Sequence, residues 1–519
     1  MELLKKNIRM FAETEKVTDQ ITVEEDCIVP DSLPDAGKIV WKKAFIRMED
    51  IQADEGRVTL NGQLKVQILY LDDTSEHGLH QIEDTIPFQK MQMLGEQATK
   101  ENTQIIWKLE DITVSMINSR KMGIHGLISF QFTVEESRDV QAVVEMHGVS
   151  DVSIRRKKMD LLELRHQKKD VFRIKENLTL PSSKPTISQI LWDTMQLRGI
   201  EIRPSDGKLE IKGEMFLFLL YEGENAGIQW MESAVPFQGT LEYPQAQSDI
   251  LCRAEVQMEH YKITPENDYD GEQRQILTEA TLNLDIHLYE EERADILEDV
   301  YSPVKELLPV REEQFFESLL VKRNFRIKTK GRLKLGASQP RILQICSSVG
   351  EGSMDDIQVT ERGLVIEGAV LISTLYVSSD DRVPYAVLED AIPFQQTVEV
   401  PGLNENSRYQ VQNYVEQLSV NMLDSETLEA SVTLSVDLFV VELHREACMT
   451  EVEMQEMDLK KLQDLPGIVG YMVQPEDTLW SIAKQYYTTP EKICALNQIE
   501  EKDVRPGMGL VIVKTVLSN

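Results

Sequence analysis

Apolar and polar residues alternate along much of this chain with the two-residue period of half-buried strands. Leu60, Leu64, Val66, Ile68 and Tyr70 share one face of such a run. Ile128, Phe130, Phe132 and Val134 repeat it, then Leu282, Leu284, Ile286 and Leu288, then Val432, Leu434, Val436, Leu438 and Val440. These runs predict antiparallel strands with one buried face. Residues 216–221 are apolar on both faces, which predicts a central strand. Near the C-terminus the period changes. Leu479, Ile482 and Ala483 are spaced as one apolar helical face.

The strand pattern recurs as a long internal repeat. Ile86-Pro87-Phe88-Gln89 returns as Val235-Pro236-Phe237-Gln238 and Ile392-Pro393-Phe394-Gln395. Upstream, Leu69-Tyr70, Leu220-Tyr221 and Leu375-Tyr376 each follow a Gly by the same interval, at Gly62, Gly213 and Gly368. Pro34, Pro185 and Pro340 lie further ahead, each followed by Ile39, Ile190 or Ile345. Copies roughly 150 residues apart are far longer than a solenoid unit, so they predict tandem domains, each with its own core. Phe172-Arg173-Ile174-Lys175 and Phe325-Arg326-Ile327-Lys328 predict the first strand of copies two and three, with the place in copy one near Ile21. The repeated Gly suggests a bulge or a close backbone approach, and Pro before Phe a strand start or edge. Residues 38–41 and 190–192 read as a short helix. Residues 160–165 and 306–308 read as linking helices or long connections.

Composition narrows the function. The 55 Lys/Arg and 88 Asp/Glu leave a net charge of −33. Such a surface repels phosphate backbones and anionic lipid, which argues against nucleic-acid and membrane-surface binding. Residues 471–519 carry five basic and six acidic residues, so the excess sits in the repeats. Cys27, Cys252, Cys346, Cys448 and Cys494 are too scattered for a disulfide framework and suit a reducing compartment as small buried side chains. The first residues form no apolar segment of signal-peptide type, and no run of about 18 apolar residues spans a membrane, so neither export nor membrane insertion is expected.

Catalytic chemistry is not signalled. His77-x-x-His80 lacks further ligands at metal-site spacing and falls between two strands, as a loop would. Asp72-Asp73 and Asp380-Asp381 follow the Leu-Tyr strand as turn residues. No phosphate-binding Gly loop and no nucleophile elbow is present. Arg155-Arg156-Lys157-Lys158 has no interleaved aromatics and reads as a solvated or internally paired face. We expect no enzyme, no cofactor, no metal and no catalytic residue.

The last 45 or so residues carry the most specific motifs. Asp477-Thr478-Leu479-Trp480-Ser481-Ile482-Ala483 opens a helix that Asp477 or Thr478 can cap. Thr489-Pro490 starts a second helix, which ends at Leu496-Asn497, with Asn497 suited to a left-handed terminus. Pro506-Gly507 turns into a final strand. The order is β-α-α-β. In so small a domain Trp480 and Tyr471 are expected to be buried rather than to stack on a ligand. This segment resembles the LysM family along its full length. The resemblance implies a shallow groove for N-acetylglucosamine polymers at Glu476, Asp477, Thr478, Leu479, Ile499, Pro506 and Gly507. Glu476 stands where the family has Gly.

The repeats resemble the SPOCS-type domain of sporulating Firmicutes, copy one in the form Pro34-Asp35-Ala36-Gly37-Lys38-Ile39, while copies two and three, with Pro185-Thr186 and Pro340-Arg341, depart from that form. Three such repeats before a LysM domain resemble the clostridial spore-coat morphogenetic family. The expected fold is therefore multidomain and mainly β (α+β). Three tandem antiparallel β-rich repeats, 1–150, 151–305 and 306–465, precede a small βααβ LysM domain at 470–515. The resemblance implies a non-enzymatic adaptor in spore coat assembly, in the mother-cell cytoplasm at the forespore surface. Its partners would be the coat base-layer morphogenetic ATPase, docked through the LysM domain, and other coat proteins. The alternative is a protein that binds peptidoglycan or a chitin-like glycan at the cell wall or cortex. A wall hydrolase targeted by LysM would need a catalytic domain that the repeats do not offer.

Overall fold

The computed structural model describes residues 2–514 except 55, 75–77, 101, 149 and 458–465. Among these, copy one is six strands: β1 (Glu2–Ile28), β2 (Ala36–Asp54), β3 (Arg57–Asp72), β4 (Leu79–Met93), β5 (Thr103–Asn118) and β6 (Lys121–His147). Copy two is β7 (Ser153–Thr179), β8 (Ile187–Ser205), β9 (Lys208–Gly223), β10 (Gly227–Glu242), β11 (Leu251–Asn267) and β12 (Gln273–Tyr301). Copy three is β13 (Glu306–Lys334), β14 (Ile342–Thr360), β15 (Gly363–Ser378), β16 (Tyr385–Val398), β17 (Ser407–Met422) and β18 (Thr427–Gln455).

Each copy forms two three-stranded antiparallel sheets, β1-β6-β5 and β2-β3-β4 in copy one. The alternating apolar faces of the two sheets meet in a sandwich core, here Leu60, Leu64, Val66, Ile68 and Tyr70 against Ile128, Phe130 and Phe132. Residues 216–221 fall in β9, the middle strand of its sheet, as their two apolar faces require.

The repeated residues have specific jobs. Tyr70, Tyr221 and Tyr376 are buried, and each hydroxyl donates to the carbonyl of the repeat Pro, Pro34, Pro185 or Pro340, at 3.0, 3.2 and 3.0 Å. Gly62, Gly213 and Gly368 lie directly opposite Phe88, Phe237 and Phe394 on the edge strand. A Cβ at any of the three would lie 2.6–2.8 Å from the Phe ring. On the other side the neighbouring strand bulges, between Met48 and Asp50, Arg198 and Glu201, and Met354 and Asp356. Glycine is needed because two neighbours close on one position.

Two expectations fail. Residues 38–41 and 190–192 are strand, in β2 and β8. A bulge at Val40 and at Leu191 shifts the register, so that Ile39 and Trp41, and likewise Ile190 and Trp192, two residues apart, stand opposite adjacent partners and turn to opposite faces. Both faces are apolar, which gives the run its unbroken apolar character. The supposed linking helices, 160–165 and 306–308, are strand in β7 and β13. In β7, Leu161 packs with Ile8 and Phe316 of the other copies, and Leu162 and Leu164 with Phe439 and Val441 of copy three, whereas in β13 Leu307 is buried and Leu308 exposed.

The strands that open and close each copy are 27–29 residues long, well past the sandwich. The excess forms three two-stranded ribbons, β1/β6, β7/β12 and β13/β18, which pack on one another. So each copy has its own core, as expected, and shares others with its neighbours.

Candidate functional site

The C-terminal module is β19 (Ile468–Met472), α1 (Leu479–Gln485), α2 (Pro490–Asn497), a 3-10 turn at Glu501–Asp503 and β20 (Gly509–Val513). β19 and β20 pair antiparallel, Ile468 opposite Val513. Val473, Leu479, Ile482, Ala483, Ile493, Leu510 and Ile512 form its core.

Local chemistry sets the helix ends. Thr478 caps α1: its Oγ1 accepts from Ser481 N at 3.1 Å, while Thr478 N donates to Ser481 Oγ at 3.0 Å. Asp477 does not cap. Its Oδ2 accepts from Tyr471 Oη at 2.6 Å and Gln474 N at 2.7 Å, closing the turn before the helix. That hydrogen bond to a carboxylate pushes the Tyr471 phenol up to about 12. Thr489 caps α2, with Pro490 in the first turn. The left-handed residue that ends α2 is Gln498, not Asn497. Asn497 instead brackets β20, with Nδ2 donating to Val511 O at 2.7 Å and Oδ1 accepting from Val511 N at 2.8 Å.

Two loops of the expected groove lie side by side. Gly507 N donates to Val473 O at 2.8 Å and Val473 N to Met508 O at 2.9 Å. Glu476, Thr478, Pro506 and Gly507 are exposed on this rim and Asp477 is half-buried. Gly507 holds φ +84 in open space, so its backbone alone calls for glycine. Leu479 points into the core and Ile499 packs half-buried against it. The rim offers backbone polar groups and two acids.

A second surface of the module, which the sequence did not reveal, is held by the repeats. Asp299, near the end of β12, accepts from Trp480 Nε1 at 2.8 Å and from Lys484 Nζ at 2.8 and 2.9 Å. Arg311 of β13 reaches the same carboxylate at 2.7 Å. Burial would push the Asp299 carboxyl up, but the hydrogen bonds from Lys484 and Trp480 and the nearby cations hold it below the usual range. The Tyr301 hydroxyl donates to Thr488 O at 2.9 Å, and its ring meets Trp480 edge-on at 4.8 Å. Tyr301 thereby joins the module's core. Trp480 is covered as expected, but partly by another domain. The available signal was a departure within the repeat: at the ribbon positions of Asp299 and Tyr301, copy one has Glu145 and His147, and copy three has Glu451 and Glu453.

Elsewhere, Glu135, Asp285 and His287 bring ligand-type atoms within 4.8 Å of one another. Arg253 sets a fixed positive charge 3.4 Å from His287 Nε2, the nitrogen that also lies 2.9 Å from Asp285. Burial pushes Glu135 up to about 8 and His287 down to about 4. The cluster therefore reads as a charge-balanced seam between copies one and two. His80 pairs with Asp72 at 3.0 Å, while His77 lies outside the described residues. Three residues of the basic run are internally paired: Arg155 with Glu298, Arg156 with Val144 O, Lys157 with Glu446. Cys27, Cys252, Cys346 and Cys448 are buried, and all five cysteines are free.

The SPOCS domain described as "SipL, SPOCS domain" matches residues 35–117, 186–266 and 341–423, and the LysM domain matches 471–513. The chain is SipL-like, three SPOCS domains and a LysM domain. No curated protein and no solved structure matches it significantly. SPOCS and LysM are non-catalytic binding or scaffold domains. Together they fit a sporulation-related coat protein with a peptidoglycan-binding module. No described helix is long and apolar enough to cross a membrane.

Proposed function

We propose that the chain is a non-enzymatic adaptor of spore coat assembly, working in the mother-cell cytoplasm at the forespore surface. Its LysM domain docks the coat base-layer morphogenetic ATPase, and the SPOCS array meets other coat proteins. The observation that carries this is the pairing of three SPOCS domains with one LysM domain whose rim residues Glu476, Thr478, Pro506 and Gly507 stay exposed while its Trp480 face is held by the array. We keep domain limits at 1–150, 151–305, 306–465 and 470–515.

The LysM match favours a second reading, binding of peptidoglycan or another N-acetylglucosamine polymer by the same rim. One experiment separates the two. Full-length Glu476→Lys and Pro506→Asp chains are titrated with the purified ATPase and with an N-acetylglucosamine pentamer. The adaptor reading expects at least a tenfold loss for the ATPase and no saturable pentamer binding by the parent. Unchanged ATPase binding by folded variants would remove the rim from that contact. Saturable pentamer binding would establish the second reading.

A further inference from the structure

Separate domains on a string need apolar surface only inside each sandwich. These repeats carry a second set. Leu69, Leu220 and Leu375, the leucines of the repeated Leu-Tyr pair, are fully buried, yet none belongs to its own sandwich core. They meet in one cluster with Trp41, Trp192 and Cys346, drawn from all three copies.

The ribbons repeat the arrangement. Val143, Leu297 and Met449 stand opposite Lys5, Arg156 and Arg311, and each of these basic residues lies 29 positions ahead of its repeat Pro. The three are therefore equivalent. They pack together with a second equivalent set, Met146, Val300 and Val452. A third shared core joins Ala142, Ile296 and Cys448.

All three boundaries between copies also carry polar contacts. Lys43 of copy one reaches Asp193 of copy two at 2.8 Å. Ser347 of copy three donates to Glu232 of copy two at 2.6 Å, and Lys108 of copy one to Ser353 of copy three at 3.3 Å. Equivalent residues meeting at three levels, with every boundary occupied, describe a head-to-tail interface that closes at three members.

We infer that the SPOCS repeat is a trimer-forming module and that this chain is such a trimer closed within itself. The binding partner of each repeat's axis-facing surface is the pair of other repeats. That surface is used up, so coat partners meet the outward faces and the LysM rim. The copies have also diverged into fixed places. Trp41 stacks on Trp192 at 5.2 Å while the third equivalent position is Ser347. The Glu135–Asp285–His287 seam joins copies one and two. Identical copies would place like residues together at both points.

The test uses the full chain with protease-recognition sequences inserted in the two links, 148–152 and 302–305. Elution of the uncut chain at the parent volume shows that the insertions are tolerated. The folded protein is then cut at both sites and rerun at nanomolar concentration. The expected result is a single peak at the uncut size, with fragments separating only in denaturant. Fragments that separate under native conditions overturn the inference. A Leu375→Asp chain, folded before cutting, is expected to release the third repeat at least 100-fold more readily than the cut parent. Equal retention would likewise overturn it.

Discussion

The LysM domain is small enough to be marginal alone, a SPOCS repeat is of ordinary domain size with its own core, and the two draw their support from different places. The LysM domain relies on near neighbours in sequence. Thr478 and Thr489 cap its helices, Asp477 ties Tyr471 to Gln474, and Asn497 pins β20. From outside it takes one contact group, at Asp299 and Tyr301. The repeat has local turn bonds too, such as those of Asp72, Asp268 and Asn404, but adds a longer-range device. It lengthens its first and last strands and exposes a second apolar face, which the other two copies cover. Local support makes a detachable part. Mutual support makes one unit, in which a fault at the axis is felt by all three copies.

The strongest way to break that contrast is Leu220→Asp. A carboxylate in the three-way cluster loses the leucine's packing and is buried with no partner, a cost of about 4 kcal/mol or more. Calorimetry of the full chain should show all three repeats melting together at a lower temperature. If only about a third of the unfolding heat moved down, the repeats would be independent.

The next effect depends on pH. Glu135 has a folded pKa raised to about 8, first by burial and then by the Asp285 and Glu255 carboxylates, against the opposing pull of Arg253 and Lys169. A raised pKa gives stability that is present in full below the unfolded value and lost as pH climbs through the folded value. Glu135→Gln should therefore leave stability at about pH 4.5 unchanged and raise it by on the order of 2–3 kcal/mol near pH 9. His287 works in the opposite direction. Its pKa is pushed down to about 4 by burial and Arg253, so its contribution is present above about 6.5 and lost as pH falls toward 4. Denaturant titrations across this range check both. A parallel rise at every pH would mean that Glu135 carries no proton-linked cost.

Asp299→Ala tests the LysM attachment. It leaves Trp480 Nε1 and Lys484 without their shared acceptor, a loss of about 2 kcal/mol for charge-assisted bonds. Limited proteolysis should release the C-terminal module at least tenfold faster, with the melting of the array nearly unchanged. If the array softened as well, the LysM domain would be a structural part of it.

How far each region could be read from sequence follows the same contrast. Motifs whose partners lie within a few residues were legible: the Thr489 cap, a first cap at Asp477 or Thr478 that the structure gives to Thr478, Pro490 in the first turn, the Pro506-Gly507 turn and the LysM outline. Alternation gave the strands of the sandwiches. The triple recurrence of Gly and Phe was visible, but their mutual contact depends on strand register, which spacing does not fix. The leucines of 160–165 looked helical because they are buried against other copies, and a local period cannot show a partner that arrives from another repeat. Asn497 was misplaced by one position because Gln498 takes the left-handed conformation and frees the Asn side chain to hold Val511. Of the candidate rim, Leu479 belongs to the core, while the four exposed residues sit on two loops joined at Val473.

The smallest effect sharpens the comparison from the local side. Thr478→Ala removes the acceptor for Ser481 N and one half of the capping box, which costs a helix about 1 kcal/mol. The seven-residue helix it starts carries Leu479, Ile482 and Ala483 into the core, so that cost falls on a module with little reserve. The same helix carries Trp480 and Lys484 to Asp299. Fraying should therefore reach the attachment as well. The expected result is a lower melting point for the LysM domain, read by near-ultraviolet signal from Trp480, with a modest rise in its proteolytic release and no change in the repeats. Combining Thr478→Ala with Asp299→Ala then measures the coupling. Less-than-additive release would mean that the cap acts on docking through α1, whereas simple addition would place the cap's whole effect inside the module.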